Sequence, residues 1–393
     1  MFLDNQFYLM NKDCKILSFQ TVRDEFQDVE ILELERYSDK LPIGFQNMKQ
    51  WVENRKAPKH REHIDQLLKS CGCQDLDGYL RVTYALNLND TFWVKPIEST
   101  KKWADVSLYK NEFDETIAHI AFEGGMYGEQ FTTTSPEFTT DGAFAKCWIR
   151  EDDGIFLLKR GMTGGRNLGK EPYCEMYASQ IAAKICPDNY VPYEVVRYRG
   201  ELASKCPLFT SEQIGFAPIF KCMESGAGIA KQLQYFESIG SGDDFRRMLV
   251  LDALIVNTDR HMGNYGILFD TDTLEPIKMA PVFDHNQGLL PFAEKEEFDH
   301  IDKYLESRPT RIGNDFNEVA HMVLTPEIES DLKKLRGFRF ERNTKLGFPE
   351  ERLVQLENVV NMQIENVLSG RKLYLLKKQN TVQIKKPARK MKL

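Results

Sequence analysis

The 393-residue chain lacks any apolar run long enough to span a bilayer, and its start, "MFLDNQFYLMNKDCK", lacks the basic opening and apolar middle of a secretory signal. A cytoplasmic protein without a transmembrane segment is expected. Paired cysteine motifs are missing as well. The eight cysteines are scattered, with one C-x-C and no C-x-x-C, so neither a disulfide scaffold nor a zinc ribbon is suggested. There is no excess of basic charge: 52 Lys and Arg stand against 59 Asp and Glu, a net charge of −7. That balance argues against a chain-wide nucleic-acid footprint. The chain also shows no internal repeat and no long low-complexity linker, which excludes solenoids and arrays.

What is present is enough apolar sequence, 42% of the chain, to bury one large core or two to three ordinary ones. Strand-like "CKILSF" and "VEILEL" precede a helical pattern in "REHIDQLLKSCG", and Trp93 in "LNLNDTFWVKP" reads as a buried aromatic anchor. The spacing of Leu108, Phe113, Ile117 and Ile120 predicts one helix over 105–122, ended by the glycines of "EGGMYG". Then "AFAKCWIREDDGIFLLKRG" reads as a hairpin, with strands Lys146–Arg150 and Ile155–Lys159 turning at Asp153-Gly154. A helix starting at Pro172 follows, with Met176, Ile181 and Ile185 on one face, and then strands in "VPYEVVRYR" and "FAPIFKCM". Beyond Gly228 the pattern is mainly helical. "SGDDFRRMLVLDALIV" forms one helix, Thr325-Pro326 opens a second, closed by Gly337, and a third carries Leu353, Leu356, Val360, Ile364 and Val367 and ends at Gly370. After Arg371 the tail has many Lys and Arg and no acidic residue, the pattern of a solvated end or, less often, of a phosphate- or partner-binding arm.

Gly164 to Lys170 spells G-x-x-x-x-G-K, but Glu171 stands where a P-loop needs a Ser or Thr on Mg²⁺, so the segment reads as a connector. The chemistry lies elsewhere, in "NTDRHMGNYGILFD", from Asn257 to Asp270. Phosphoryl transfer needs a carboxylate to orient and deprotonate the acceptor hydroxyl, with a second carboxylate and an amide oxygen to hold Mg²⁺ on ATP. Asp259 suits the base, Asn264 suits one metal ligand, and Asp284 in "APVFDHNQG" suits the other. Upstream, Lys159 at a strand end suits the lysine that binds the α- and β-phosphates, and Glu175 on the next helix suits its partner. Lys146 competes with Lys159 for the phosphate role. His261 suits a hydrogen bond to the phosphates or the loop backbone, and equally the role of an ordinary structural histidine. Singly, an Asp after a helix is often a cap and an Asn in a turn serves its backbone. The order and spacing of the whole series are those of a kinase.

At these residues the sequence resembles the HipA-like kinase family, in particular its CtkA-like subgroup. The resemblance is carried by "FAKCWIREDDGIFLLKRG", "EPYCEMYASQIA", "LFTSEQIGFAPI", "LDALIVNTDRHMGNYGILFD" and "APVFDHNQG", mostly between Ser135 and Gly288. It implies an α+β, two-lobed protein-kinase-like fold with a small β-rich lobe, an α-rich catalytic lobe and an N-terminal accessory module. The expected extents are 1–125 for the module, 126–225 for the ATP-binding lobe, 226–375 for the catalytic lobe and 376–393 for the basic tail. It further implies ATP and Mg²⁺ dependence, Ser/Thr phosphorylation of a protein substrate and autophosphorylation. By position, Gly142 in "SPEFTTDGAFAKCW" stands in the phosphate loop, and Phe220 to Glu224, with Met223 and Glu224 facing adenine, in the hinge. Ser135, Thr139 and Thr140 are the acceptor hydroxyls nearest that loop, and some relatives act as toxins beside an antitoxin partner. The rivals are a phosphatidylinositol-type lipid kinase, a two-metal hydrolase built on Asp259, His261, Asp284 and His285, and a nucleotide-binding pseudokinase.

Overall fold

A computed structural model describes residues 5–23, 29–73, 75–125, 133–164, 168–224 and 226–384, with side chains to 370. The residues of the basic tail beyond 384 and Arg166 and Asn167 of the Gly-rich connector lie outside it. The described residues form an α+β fold, with eleven strands in three sheets and helices packed mostly in the C-terminal half.

The N-terminal module is a four-stranded antiparallel sheet in the order β3-β2-β1-β4, from β1 (Gln6–Asn11), β2 (Cys14–Arg23), β3 (Val29–Arg36) and β4 (Phe92–Pro96). Its inward face, with Phe7, Leu9, Leu17 and Phe19, packs with Met48, Val52, Leu67 and Leu80 of three short helices, the alternation expected of a sheet covered on one side. The helix predicted over 105–122 is two helices, Trp103–Val106 and Glu115–Glu123. Asp114 takes an extended backbone and caps the second through the Thr116 and Ile117 amides, a local side-chain bond that competes with helix continuation.

The second sheet, β5-β6-β8-β7, holds the hairpin β5 (Lys146–Glu151) and β6 (Gly154–Arg160), followed after the helix Glu171–Ile185 by β7 (Glu194–Tyr198) and β8 (Glu201–Pro207). Register places Lys146 directly across from Lys159. The third sheet, β11-β10-β9, joins β9 (Ile214–Pro218) to β10 (Gly266–Asp270) and β11 (Pro276–Met279). The chain therefore leaves the small sheet after Pro207 and enters the sheet of the helical lobe by Ile214. Residues 219–222, part of the run expected to be a strand, form a helical turn instead.

The helix Gly242–Ile255 is the axis of the helical lobe; from Met248 to Ile255 every one of its residues is buried. It packs against Phe316–Val323 and Glu350–Ile384. The latter does not stop at Gly370. That glycine is a place of close approach, because a Cβ there would lie 2.0 Å from the His321 ring. The N-terminal module docks on the β10–β11 turn through Asn11 to the Thr271 carbonyl at 2.8 Å and a Lys12–Asp272 ion pair at 2.6 Å. Among the described residues no helix is long and apolar enough to cross a membrane.

Candidate active site

The helix Gly242–Ile255 ends at Val256, whose φ of +52° turns the chain sharply, and Asn257 secures the turn. Its amide nitrogen reaches Asp252 Oδ1 at 3.1 Å, and its amide oxygen accepts from the Asp259 N–H at 3.2 Å. Asn264 then donates its side-chain nitrogen to the Asp259 carbonyl at 3.1 Å, which closes the loop and leaves the Asn264 amide oxygen as a hard donor for a cation. His261 is exposed and folds back on this loop, its Nδ1 accepting from the Gly263 N–H at 3.0 Å.

Asp284 follows β11 in the left-handed region, φ +57°, a backbone state that a short polar side chain tolerates at some cost in strain. The buried Tyr193 hydroxyl holds it by accepting from the Asp284 N–H at 3.0 Å. Lys159, at the end of β6, bridges the two acids, 2.5 Å from Glu175 Oε1 and 2.7 Å from Asp284 Oδ1. Ser204 on β8 donates to the other Glu175 oxygen. Burial works against the Lys159 charge, but Asp284 and Glu175 outweigh it and hold the ammonium above its ordinary pKa. Burial likewise works to raise the Asp284 carboxyl, yet the charges of Lys159, Lys146 and Arg260 hold it well below the usual carboxylate range. Burial pushes Glu175 up, against the pull of Lys159. The trio is thus a pre-assembled ion network in which the lysine stays charged.

Lys146 faces the same space without a carboxylate partner. Its Nζ donates to the Asp141 carbonyl at 2.5 Å, and burial, with the charges of Lys159 and Arg61, lowers its pKa to about 7. Gly142 sits over it at φ +95°, and a Cβ there would lie 2.3 Å from that Nζ, so this single glycine allows the close approach. Asp259 stands at the outer edge, 3.5 Å from the Arg311 guanidinium. Burial raises its pKa from the ordinary Asp value, opposed by His261 and Arg311.

These groups line one cleft of about 480 Å³, which holds Gly142, Lys146, Lys159, Asp259, His261, Asn264 and Asp284, a size suited to a nucleotide-sized ligand. Its far end is mostly apolar, formed by Pro207 at the end of β8, by Leu208, Phe209 and Thr210 after it, by Phe216 and Phe283, and by Leu88 and Asn89 of the N-terminal module. Met223 and Glu224 are not brought here. They line a separate cavity of about 270 Å³ with Cys222, Lys231 and Tyr235. Glu175 lies behind Lys159, and His285 is wholly buried beneath the cleft with its Nδ1 3.0 Å from Arg260.

Arg260 is the residue that sequence reasoning missed. It is 1% exposed. Its guanidinium meets Asp252 through Nε at 3.0 Å, the Asn264 carbonyl at 3.0 Å and the Phe283 carbonyl at 2.5 Å. One buried cation therefore staples the loop of Asp259 and Asn264 to the loop of Asp284. The only signal was its place inside the motif, since its acceptors lie on three separate segments. For a cation, Asn264 and Asp284 offer two oxygen donors on one cleft wall, which fits Mg²⁺ completed by phosphate and water. Among the described residues no group of three or more His, Cys, Asp or Glu is arranged to hold a metal.

No family model and no curated protein matches the chain. Among solved structures it is similar to the Helicobacter pylori proinflammatory kinase CtkA, at 16% identity and TM-score 0.45 over 60% of this chain and 92% of that one. It is also similar to a chain of the Shewanella oneidensis MR-1 toxin–antitoxin complex of HipA, HipB and operator DNA, at 10% identity and TM-score 0.47 over 92% of this chain and 97% of that one.

Proposed function

We propose that the protein is an ATP- and Mg²⁺-dependent phosphotransferase acting on Ser or Thr hydroxyls of a protein. The observation that carries this is Lys159 bridging Glu175 and Asp284 on the wall of a cleft that also presents Asp259 and Asn264. Phosphoryl transfer asks little covalent chemistry of a protein; it asks for positioning and charge. In this cleft Lys159 holds phosphate oxygens, Asn264 and Asp284 hold the cation, and the apolar end from Pro207 to Thr210 takes the base. Mg²⁺, when bound, neutralises charge between the phosphates. Asp259 accepts the proton of the acceptor hydroxyl as its oxygen attacks the γ-phosphorus, and ADP leaves.

Lys159 is favoured over Lys146 for the phosphate role because its two carboxylates fix its position and charge. The hydroxyls near the phosphate loop are all engaged: Ser135 with Glu137, Thr139 with the Leu86 carbonyl at 2.6 Å, and Thr140 with the Pro136 carbonyl at 2.7 Å. Of the three, Thr139 donates to the N-terminal module, so autophosphorylation there requires the loop to leave its seat. An antitoxin-type partner belongs to the proposal through the motif resemblance alone.

The test is transfer of label from γ-labelled ATP with Mg²⁺, to the protein itself and to a generic protein acceptor, beside Asp259→Asn. Label from the wild type alone, with both proteins binding ATP, supports the assignment. Equal labelling by the two removes Asp259 from the chemistry, and ATP binding without label from either sinks the protein-kinase reading.

A further inference from the structure

The roof of the cleft is the segment Ser135–Lys146, which contains one glycine, Gly142. A phosphate loop usually holds its shape through several glycines and its own backbone amides. Here the shape is imposed from outside, by the N-terminal module. On one side the Ala57 N–H donates to the Phe138 carbonyl and the Glu62 N–H to the Ala143 carbonyl, each at 3.0 Å. On the other side Thr139 Oγ1 donates to the Leu86 carbonyl at 2.6 Å and Asn87 Nδ2 to the Thr139 carbonyl at 2.8 Å.

Between these lies Arg61, 2% exposed. Its guanidinium donates to three carbonyls of the segment: Glu137, Thr140 at 3.4 Å and Lys146 at 3.2 Å. The three acceptors bracket Gly142 and include the residue that starts β5. The nearby Glu137 carboxylate accepts from the Trp148 N–H at 2.8 Å and from Ser135, so the cation is buried beside an acid that is itself tied to the loop. A rigid fork of donors can hold several carbonyls at once, whereas an ammonium offers one point.

We propose that Arg61 is a positioning residue for nucleotide binding, holding the phosphate loop against the N-terminal module so that affinity for the triphosphate depends on that module. The inference rests on the nucleotide-cleft proposal above. Arg61 donates only to the phosphate-loop segment, whereas the base end is built from Pro207 to Thr210, Phe216, Phe283, Leu88 and Asn89, to none of which it donates. Loosening the grip therefore weakens ligands in proportion to their phosphates.

The experiment measures equilibrium binding of ATP with Mg²⁺ and of adenosine to the full chain and to its Arg61→Gln and Arg61→Lys variants. Arg61→Gln is expected to weaken ATP roughly tenfold or more, as a misplaced positioning group does, while adenosine binding is retained, and Arg61→Lys should recover part of the loss. Thr139→Val, which cuts the tie to Leu86 without touching Arg61, should produce a smaller loss of the same selectivity and serves where an Arg61 variant does not fold. Equal loss of both ligands would reduce Arg61 to a general structural residue. Unchanged ATP affinity would show the loop to be self-supporting, and either result overturns the inference while the cleft keeps its ligand. A wild type that binds neither ATP nor adenosine overturns the cleft proposal itself.

Discussion

The two ends of the cleft are built by opposite means. At the charged end, Glu175 from the helix Glu171–Ile185 and Asp284 from the loop after β11 converge on Lys159 of β6, and the Asp284 backbone is held by the Tyr193 hydroxyl. At the apolar end no charge is involved. Phe209, Phe216 and Phe283 meet with ring centroids 5.4 to 5.5 Å apart, beside the linker from Pro207 to Thr210 and the backbone of the N-terminal module. The lesson concerns what residue type can disclose. A buried carboxylate is costly unless it is paired, so its presence in an apolar segment announces chemistry, whereas a base-binding wall uses neutral side chains and peptide groups that any core also uses.

The largest effect that could break this comparison comes from Asp259→Asn, which should lower turnover by ~10²–10⁴-fold, the usual worth of a positioned base, with ATP affinity retained in equilibrium binding. Next is Lys159→Met. Removing the cation leaves Glu175 and Asp284 facing each other in a buried site, a change that typically costs ~3–5 kcal/mol. Denaturant unfolding should show that loss, together with loss of ATP affinity, and a variant of wild-type stability would mean that the network is not formed. A moderate effect separates the two cavities. Phe209→Ala removes one ring of the proposed base end and should raise KM for ATP roughly tenfold with little change in kcat, while Met223→Ala, in the separate cavity, should leave KM alone.

The smallest effect concerns pH. Asp259 must be ionised to act, and burial already raises its pKa, while Arg311 draws it down. Activity is therefore gained as pH rises through the Asp259 pKa. Arg311→Ala should lift that pKa further and move the acid limb of kcat/KM to higher pH, and an unmoved limb would separate Arg311 from the base.

Against these tests, what was legible in the sequence follows a physical divide. Period-two and period-3.6 patterns placed the β5–β6 hairpin and the helix Gly242–Ile255, because each buries a face within one local segment. The D-x-x-x-x-N spacing was readable because one loop holds both residues. Strand periodicity does not name sheet partners: β8 joins the small sheet and β9 the helical lobe, so the chain crosses between them over residues 208–213, and Met223 and Glu224 line a cavity separate from the one that holds Lys159. Arg260 and Arg61 were not legible for a related reason. Each acts on backbone carbonyls of distant segments, and a carbonyl leaves no mark in sequence. Gly370 looked like a helix stop, and only the packing of His321 shows why a glycine stands there within a continuing helix.

The most direct test of the central claim is a crystal structure of Asp259→Asn with Mg²⁺ and a non-hydrolysable ATP analogue. The expected result has the base against Pro207 to Thr210, phosphate oxygens on Lys159, the cation between Asn264 and Asp284, and the γ-phosphate open toward residue 259. A nucleotide seated instead beside Met223 and Glu224, or a phosphate chain pointing away from Lys159, would contradict it.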